Sequence, residues 1–183
     1  VLIVALNMFD GVNGQSFINF MMIFIYLLSY DLFQKISYLL IFSLIIFSYL
    51  NFNNKVFLGD SGVYFCSFLV SYFIIKTYNY EKIINVEEII IILLIPIIDM
   101  LRLFVKRIYN GKNPFLPDRN HIHHIIQDKF GNKKIFLIFI LLFVPLILIK
   151  FKINYLYIFF FQIVTYILLI YQVNSSSHKF KIK

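Results

Sequence analysis

The sequence predicts an all-α protein, a polytopic bundle of about six transmembrane helices preceded by an N-terminal helix stub. Three observations lead there. Of 183 residues, 61% are hydrophobic and only 14% charged, where a soluble domain averages about half apolar and a quarter charged. The apolar residues gather in long runs with no polar stripe of the kind a water-facing helix carries. The basic residues, which bring the formal net charge to +8, stand at the ends of those runs and in one loop, with no basic face along a helix, so nucleic acid is not an expected partner and membrane lipid is.

In chain order the stub is Val1 to about Leu6, and the apolar cores of the spans are roughly Phe17 to Ser29, Ile36 to Leu50, Val63 to Ile75, Glu88 to Phe104, Ile135 to Ile149 and Ile153 to Tyr171. Each must be helical, because unpaired backbone amides in hydrocarbon are too costly for irregular structure. Most cores are shorter than the roughly 20 residues a crossing requires, so the helices are expected to extend into their flanks. Val1-Leu2-Ile3-Val4 has neither an initiator Met nor a basic stretch ahead of it. The sequence is therefore expected to start inside a helix of a longer protein and not in a signal peptide. Cys66, the single cysteine, excludes an intramolecular disulfide and reads as a small buried side chain.

One transmembrane domain thus spans 1–173, with polar loops 7–14, 51–62 and 106–134 and a basic tail 174–183. Two spans separate each polar segment from the next, so all four are expected on one side of the membrane. That side holds 12 of the 17 Lys and Arg residues; the other holds Lys35, Lys76, Lys82, Lys150 and Lys152. The bias makes the loop-rich face cytoplasmic. The Asn174-Ser175-Ser176 sequon is on that face and is expected to stay unglycosylated.

The loops carry three polar clusters. Asn7-Met8-Phe9-Asp10-Gly11-Val12-Asn13-Gly14 reads either as ordinary Asp-Gly and Asn-Gly turns or as amides and a carboxylate on a tight backbone, suited to a base or ribose. Phe57-Leu58-Gly59-Asp60-Ser61-Gly62 opens a helix, whose free N–H groups suit a phosphate, while Asp60 is a hard oxygen ligand for Mg²⁺. Asp60 or Ser61 could instead cap that helix. The third cluster runs from Pro96-Ile97-Ile98-Asp99 through Arg102, Lys106 and Arg107 to Pro114-Phe115-Leu116-Pro117-Asp118-Arg119-Asn120-His121-Ile122-His123-His124. Its histidines and Arg119 form a dense set of donors for a diphosphate. A zinc site and a merely basic orienting loop are the rival readings.

NMFDGVNG, FLGDSG and PFLPDRNHIHH, in that order and on one predicted face, resemble the polyprenyl-phosphate N-acetylhexosamine-1-phosphate transferases of cell-envelope glycan synthesis, glycosyl transferase family 4. The resemblance runs from residue 1 to about residue 130. HIHH is similar to the N-acetylglucosamine-1-phosphate branch; the phospho-N-acetylmuramoyl-pentapeptide transferases usually show three consecutive histidines. The resemblance implies a Mg²⁺-dependent transfer of sugar 1-phosphate from a UDP-N-acetylhexosamine to polyprenyl phosphate at a bacterial inner membrane, with release of UMP. It assigns Mg²⁺ to Asp60, the nucleotide to Asn7, Asp10 and Asn13, and the phosphates to His121, His123, His124 and Arg119. A second copy of the chain, in a homodimer, is a further expected partner. Two departures count against it: the family's earlier Asp-Asp pair occurs nowhere in the 183 residues, and Val63 follows FLGDSG where a small residue is usual. A non-catalytic membrane paralogue is therefore the competing reading, with a transporter behind it.

Overall fold

The computed structural model describes residues 6, 15–30, 33–53, 55–80, 84–114, 121–131 and 134–179, with backbone alone at 15, 16, 125, 130, 134–136, 138, 139 and 173–179. These residues form seven helices and no strand: α1 Gln15–Leu27, α2 Gln34–Phe52, α3 Gly59–Asn79, α4 Val86–Tyr109, α5 Ile122–Phe130, α6 Lys134–Lys150 and α7 Tyr155–Lys179. Leu6, the one described residue of the expected stub, is helical and buried.

Six helices overlap the six apolar runs, and their ends show what the runs could not. α4 continues past Phe104 to Tyr109, with Lys106 and Arg107 in its last turn, where cations favour the negative end of the helix dipole. It stops at Gly111, whose φ of 66° closes a Schellman turn: Lys112 N–H donates to the Arg107 carbonyl at 2.9 Å and Gly111 N–H to that of Ile108 at 3.0 Å. α7 runs through Asn174 to Lys179, into the expected tail, because no Gly or Pro interrupts it. α5 had no counterpart in the apolar pattern.

α1 is short and mostly buried, although Ile25 is 37% exposed. Phe20, Ile23, Phe24 and Leu27 are all 2% exposed or less, and the helix packs against α2, α3 and α6. The Phe24 ring meets Phe73 of α3 edge-on, with centroids 6.3 Å apart, and Phe33 stacks on Phe73 at 4.1 Å. α2 is the opposite case. Ile36, Leu39, Phe42, Ile46 and Tyr49 are at least 49% exposed, an apolar surface too continuous for water. α2 and the Tyr155–Gln172 portion of α7 are long and apolar enough to cross a membrane, while the apolar portions of α1 and α6 are shorter.

Ring contacts and hydrogen bonds fix which helix ends lie together. Phe17 near the start of α1 packs on Phe52 at the end of α2, and Lys76 late in α3 lies over Phe33 just before α2. Tyr26 late in α1 bonds Glu88 early in α4, which also receives Tyr155 from the start of α7. Successive long helices are therefore antiparallel, so the bundle has two distinct ends. The starts of α1, α3 and α5 and the ends of α2 and α4 share one end; the α6–α7 turn is at the other.

α3 begins at a backbone position that explains one glycine of FLGDSG. Gly59 has φ 64° with nothing within 4 Å of where a Cβ would stand, so the constraint is conformational, not steric. Gly59→Ala is expected to cost about 1 kcal/mol in thermal or denaturant unfolding.

Candidate functional site

At the loop-bearing end the described polar groups converge on Asp99, which is fully buried in α4. Arg102, one turn on, donates from Nη2 to Asp99 Oδ1 at 2.8 Å. Tyr166 of α7 donates its hydroxyl to the same oxygen at 2.9 Å and accepts from Arg102 Nε at 2.9 Å. His121 Nδ1 stands 3.0 Å from Oδ2, and the Ile122 N–H, first in α5, reaches Oδ1 and Oδ2 at 3.2 and 3.3 Å. The carboxylate thus caps α5 from another helix, supplying the acceptor that its N-terminus lacks from its own side chains. As Arg102's ionised partner, Asp99 can only accept from the imidazole, so the Nδ1 of His121 carries a proton toward it.

Ile122 and Ile126 seat α5 in a small apolar core with Ile95, Leu141, Leu142 and Tyr166. Lys129 donates to the Gln172 carbonyl of α7, and Arg107 donates to the Pro114 carbonyl, holding the chain that leaves α4. The histidines are consequently ordered. His121 and His123 stack with centroids 5.4 Å apart and planes 8° from parallel, and His124 lies 4.4 Å from His123. His121 and His123 are buried and His124 half-buried.

Asp60 is exposed in the first turn of α3. No side chain caps that helix, so the capping role open to Asp60 or Ser61 is not realised, and the carboxylate is directed to solvent. Among the described residues no three His, Cys, Asp or Glu side chains gather as a metal-binding group, so the zinc reading finds no built site there. The donor chemistry at Asp60 suits Mg²⁺, which commonly takes one or two protein carboxylates and completes its shell with water and phosphate oxygens. Asn7, Asp10, Asn13 and Arg119 lie outside the described residues.

The first 78 residues of the chain, which contain NMFDGVNG and FLGDSG, fit the sequence model of a known family. Residues 1–78 match glycosyl transferase family 4. The family resemblance carried by those two motifs is borne out over the stretch that holds them. The chain is also similar to an undecaprenyl-phosphate alpha-N-acetylglucosaminyl 1-phosphate transferase of Yersinia pestis, 32% identical over 135 residues, covering 67% of this chain and 37% of the relative. The protein of the same name from Escherichia coli K12 is 31% identical with the same coverage, and that of Pasteurella multocida 35% identical over 74 residues, 40% of this chain and 21% of the relative. The chain therefore spans little more than a third of the first of these relatives. No solved structure matches it at comparable stringency.

Two members of this network were not tied to it by the sequence. Asp99 was visible beside Arg102 in the third cluster, but nothing in their spacing ties it to a histidine 22 positions on. Tyr166 lies in an apolar run among other aromatics, where no local signal separates a network hydroxyl from a membrane tyrosine. Tyr166→Phe removes a hydroxyl that both donates and accepts in a buried network, and it is expected to lower unfolding stability by about 1–3 kcal/mol, readable by thermal denaturation in detergent.

Proposed function

We propose that this chain is part of a polytopic inner-membrane transferase of family 4 that moves an N-acetylhexosamine 1-phosphate, N-acetylglucosamine 1-phosphate, from its UDP conjugate to undecaprenyl phosphate, releasing UMP. The observation that carries the reading is the anchoring of the HIHH histidines to Asp99 at the same end of the bundle as the exposed carboxylate of Asp60. The names of the curated relatives support the choice of sugar and carrier. In this reading six of the helices cross the membrane and the loop-rich end is cytoplasmic, as the distribution of Lys and Arg favours.

Both substrates are anions, so the site must neutralise the charge that keeps them apart. Mg²⁺ held by Asp60 would supply part of that neutralisation. The chain's own residues do the rest by position. Asp99 holds the His121 ring by Nδ1 and fastens the start of α5, so His121, His123 and His124 keep a fixed relation to the bundle and orient on phosphate oxygens together with Arg119. Asn7, Asp10 and Asn13 would line the uridine and ribose. Because phosphoryl transfer depends mainly on positioning and electrostatics, a rigid histidine platform matters more here than any single proton transfer.

The test is transfer of radiolabelled sugar phosphate from UDP-N-acetylglucosamine to undecaprenyl phosphate in membranes expressing the complete reading frame that carries this chain. Butanol-extractable label with stoichiometric UMP is expected. Label from another UDP-sugar alone would change the donor, and none from any UDP-sugar would favour the non-catalytic membrane protein.

A further inference from the structure

The opposite end of the bundle carries a second polar cluster that the transferase reading does not use. Here the α6–α7 turn opens a cleft of about 770 Å³ lined by Tyr30, Glu88, Lys150, Lys152 and Tyr155, among others. Glu88 is not its binding group. Tyr26 and Tyr30 donate to one carboxylate oxygen, Tyr155 and the Asn85 amide to the other, so its acceptor capacity is spent within the protein. Burial, with Glu88 beside it, pushes the Tyr30 phenol well above its ordinary pKa, which keeps that hydroxyl a donor.

The donors left to the cleft are cationic. Lys150 bonds Ser29 Oγ and rides 4.7 Å from the ring centroids of both Tyr26 and Tyr30, with two further N–H groups on its ammonium. Burial lowers its pKa and Glu88 works against that shift. Lys152 stands in the left-handed region at φ 56°, the one non-glycine residue described there. A backbone of this shape favours Gly or Asn. Lysine at this position is a poor choice for the turn and a good one for the cleft. Beside the cleft, sharing Tyr155 with it, runs an apolar groove of about 180 Å³ along Ile90, Ile91, Leu156 and Phe159, with Glu87 at its edge.

Paired cations next to a hydrocarbon groove suit an amphipathic anion. We propose that this end of the bundle binds an anionic phospholipid, its phosphate against Lys150 and Lys152 and a stretch of one acyl chain along Ile90, Leu156 and Phe159. The site is independent of the transferase reading and needs only a membrane around the bundle.

Native mass spectrometry of the purified full chain from nanodiscs tests it, with phosphatidylglycerol competing against phosphatidylcholine. Phosphatidylglycerol is expected to be retained preferentially, and Lys152→Asn to reduce that preference about fivefold, the worth of one basic residue near an anionic lipid surface. In pure phosphatidylcholine the same variant is expected to unfold at the same temperature or about 2 °C higher, since asparagine relieves the left-handed turn. Ile90→Trp, which fills the groove and leaves both lysines, is expected to weaken retention as well. Equal retention of the two lipids, or undiminished preference in Lys152→Asn, would overturn the proposal. So would stabilisation by inorganic phosphate as large as that by phosphatidylglycerol, which would mean a bare anion site.

Discussion

Asp99→Ala is expected to lower unfolding free energy by about 3–5 kcal/mol, the usual cost of removing one member of a buried charge pair. The loss is large because one carboxylate serves four donors: the Arg102 guanidinium, the Tyr166 hydroxyl, the His121 ring and the Ile122 amide. Without it Arg102 is left in a partly buried site without its counter-charge, and α5 loses its cap. Denaturant unfolding in detergent measures the first effect. The second has its own readout: amide exchange should accelerate in Ile122–Phe130 more than in α1 or α3. Asp99→Asn separates charge from shape, because its amide can still accept at one oxygen; it should lose less stability than alanine while weakening the hold on His121. Equal protection of α5 in wild type and Asp99→Ala would show that the apolar contacts of Ile122 and Ile126 suffice to hold that helix.

This dependence of α5 on Asp99 also marks where the sequence stops being readable. Helices with long apolar runs were legible because hydrocarbon permits little but helix, and six of them overlap the described helices. α5 was not, since Ile122-His123-His124-Ile125-Ile126 in a polar loop carries too few apolar residues to signal a helix on its own. It is stabilised by partners from α4, α6 and α7, a tertiary cause that no local pattern contains. Glycine behaved in the same way. Only the backbone distinguishes the left-handed helix entry at Gly59 from the Schellman stop at Gly111. The motifs singled out the histidines and Asp60 as candidates, whereas the place of Tyr166 beside Asp99 and the closed acceptor set of Glu88 required knowing which helix ends meet.

The second large effect falls on chemistry and spares the fold. In the complete reading frame, Asp60→Ala is expected to lower sugar-phosphate transfer by about 10²–10³-fold, the scale of losing one preorganised electrostatic contact to a reacting group. Stability should change by no more than about 1 kcal/mol, because the side chain is exposed and its structural contribution is limited to an acid in the first turn of α3. Asp60→Ser sharpens the distinction. Serine is a good helix cap and a poor Mg²⁺ ligand, so a capping role predicts recovery in that variant and a metal role predicts none. Asp60→Glu keeps the charge and lengthens the arm; partial activity that rises with added Mg²⁺ would agree with a displaced ligand. Full turnover in Asp60→Ala would remove the metal from this carboxylate and leave the HIHH platform, fastened through Asp99, as the centre around which the chemistry must be sought.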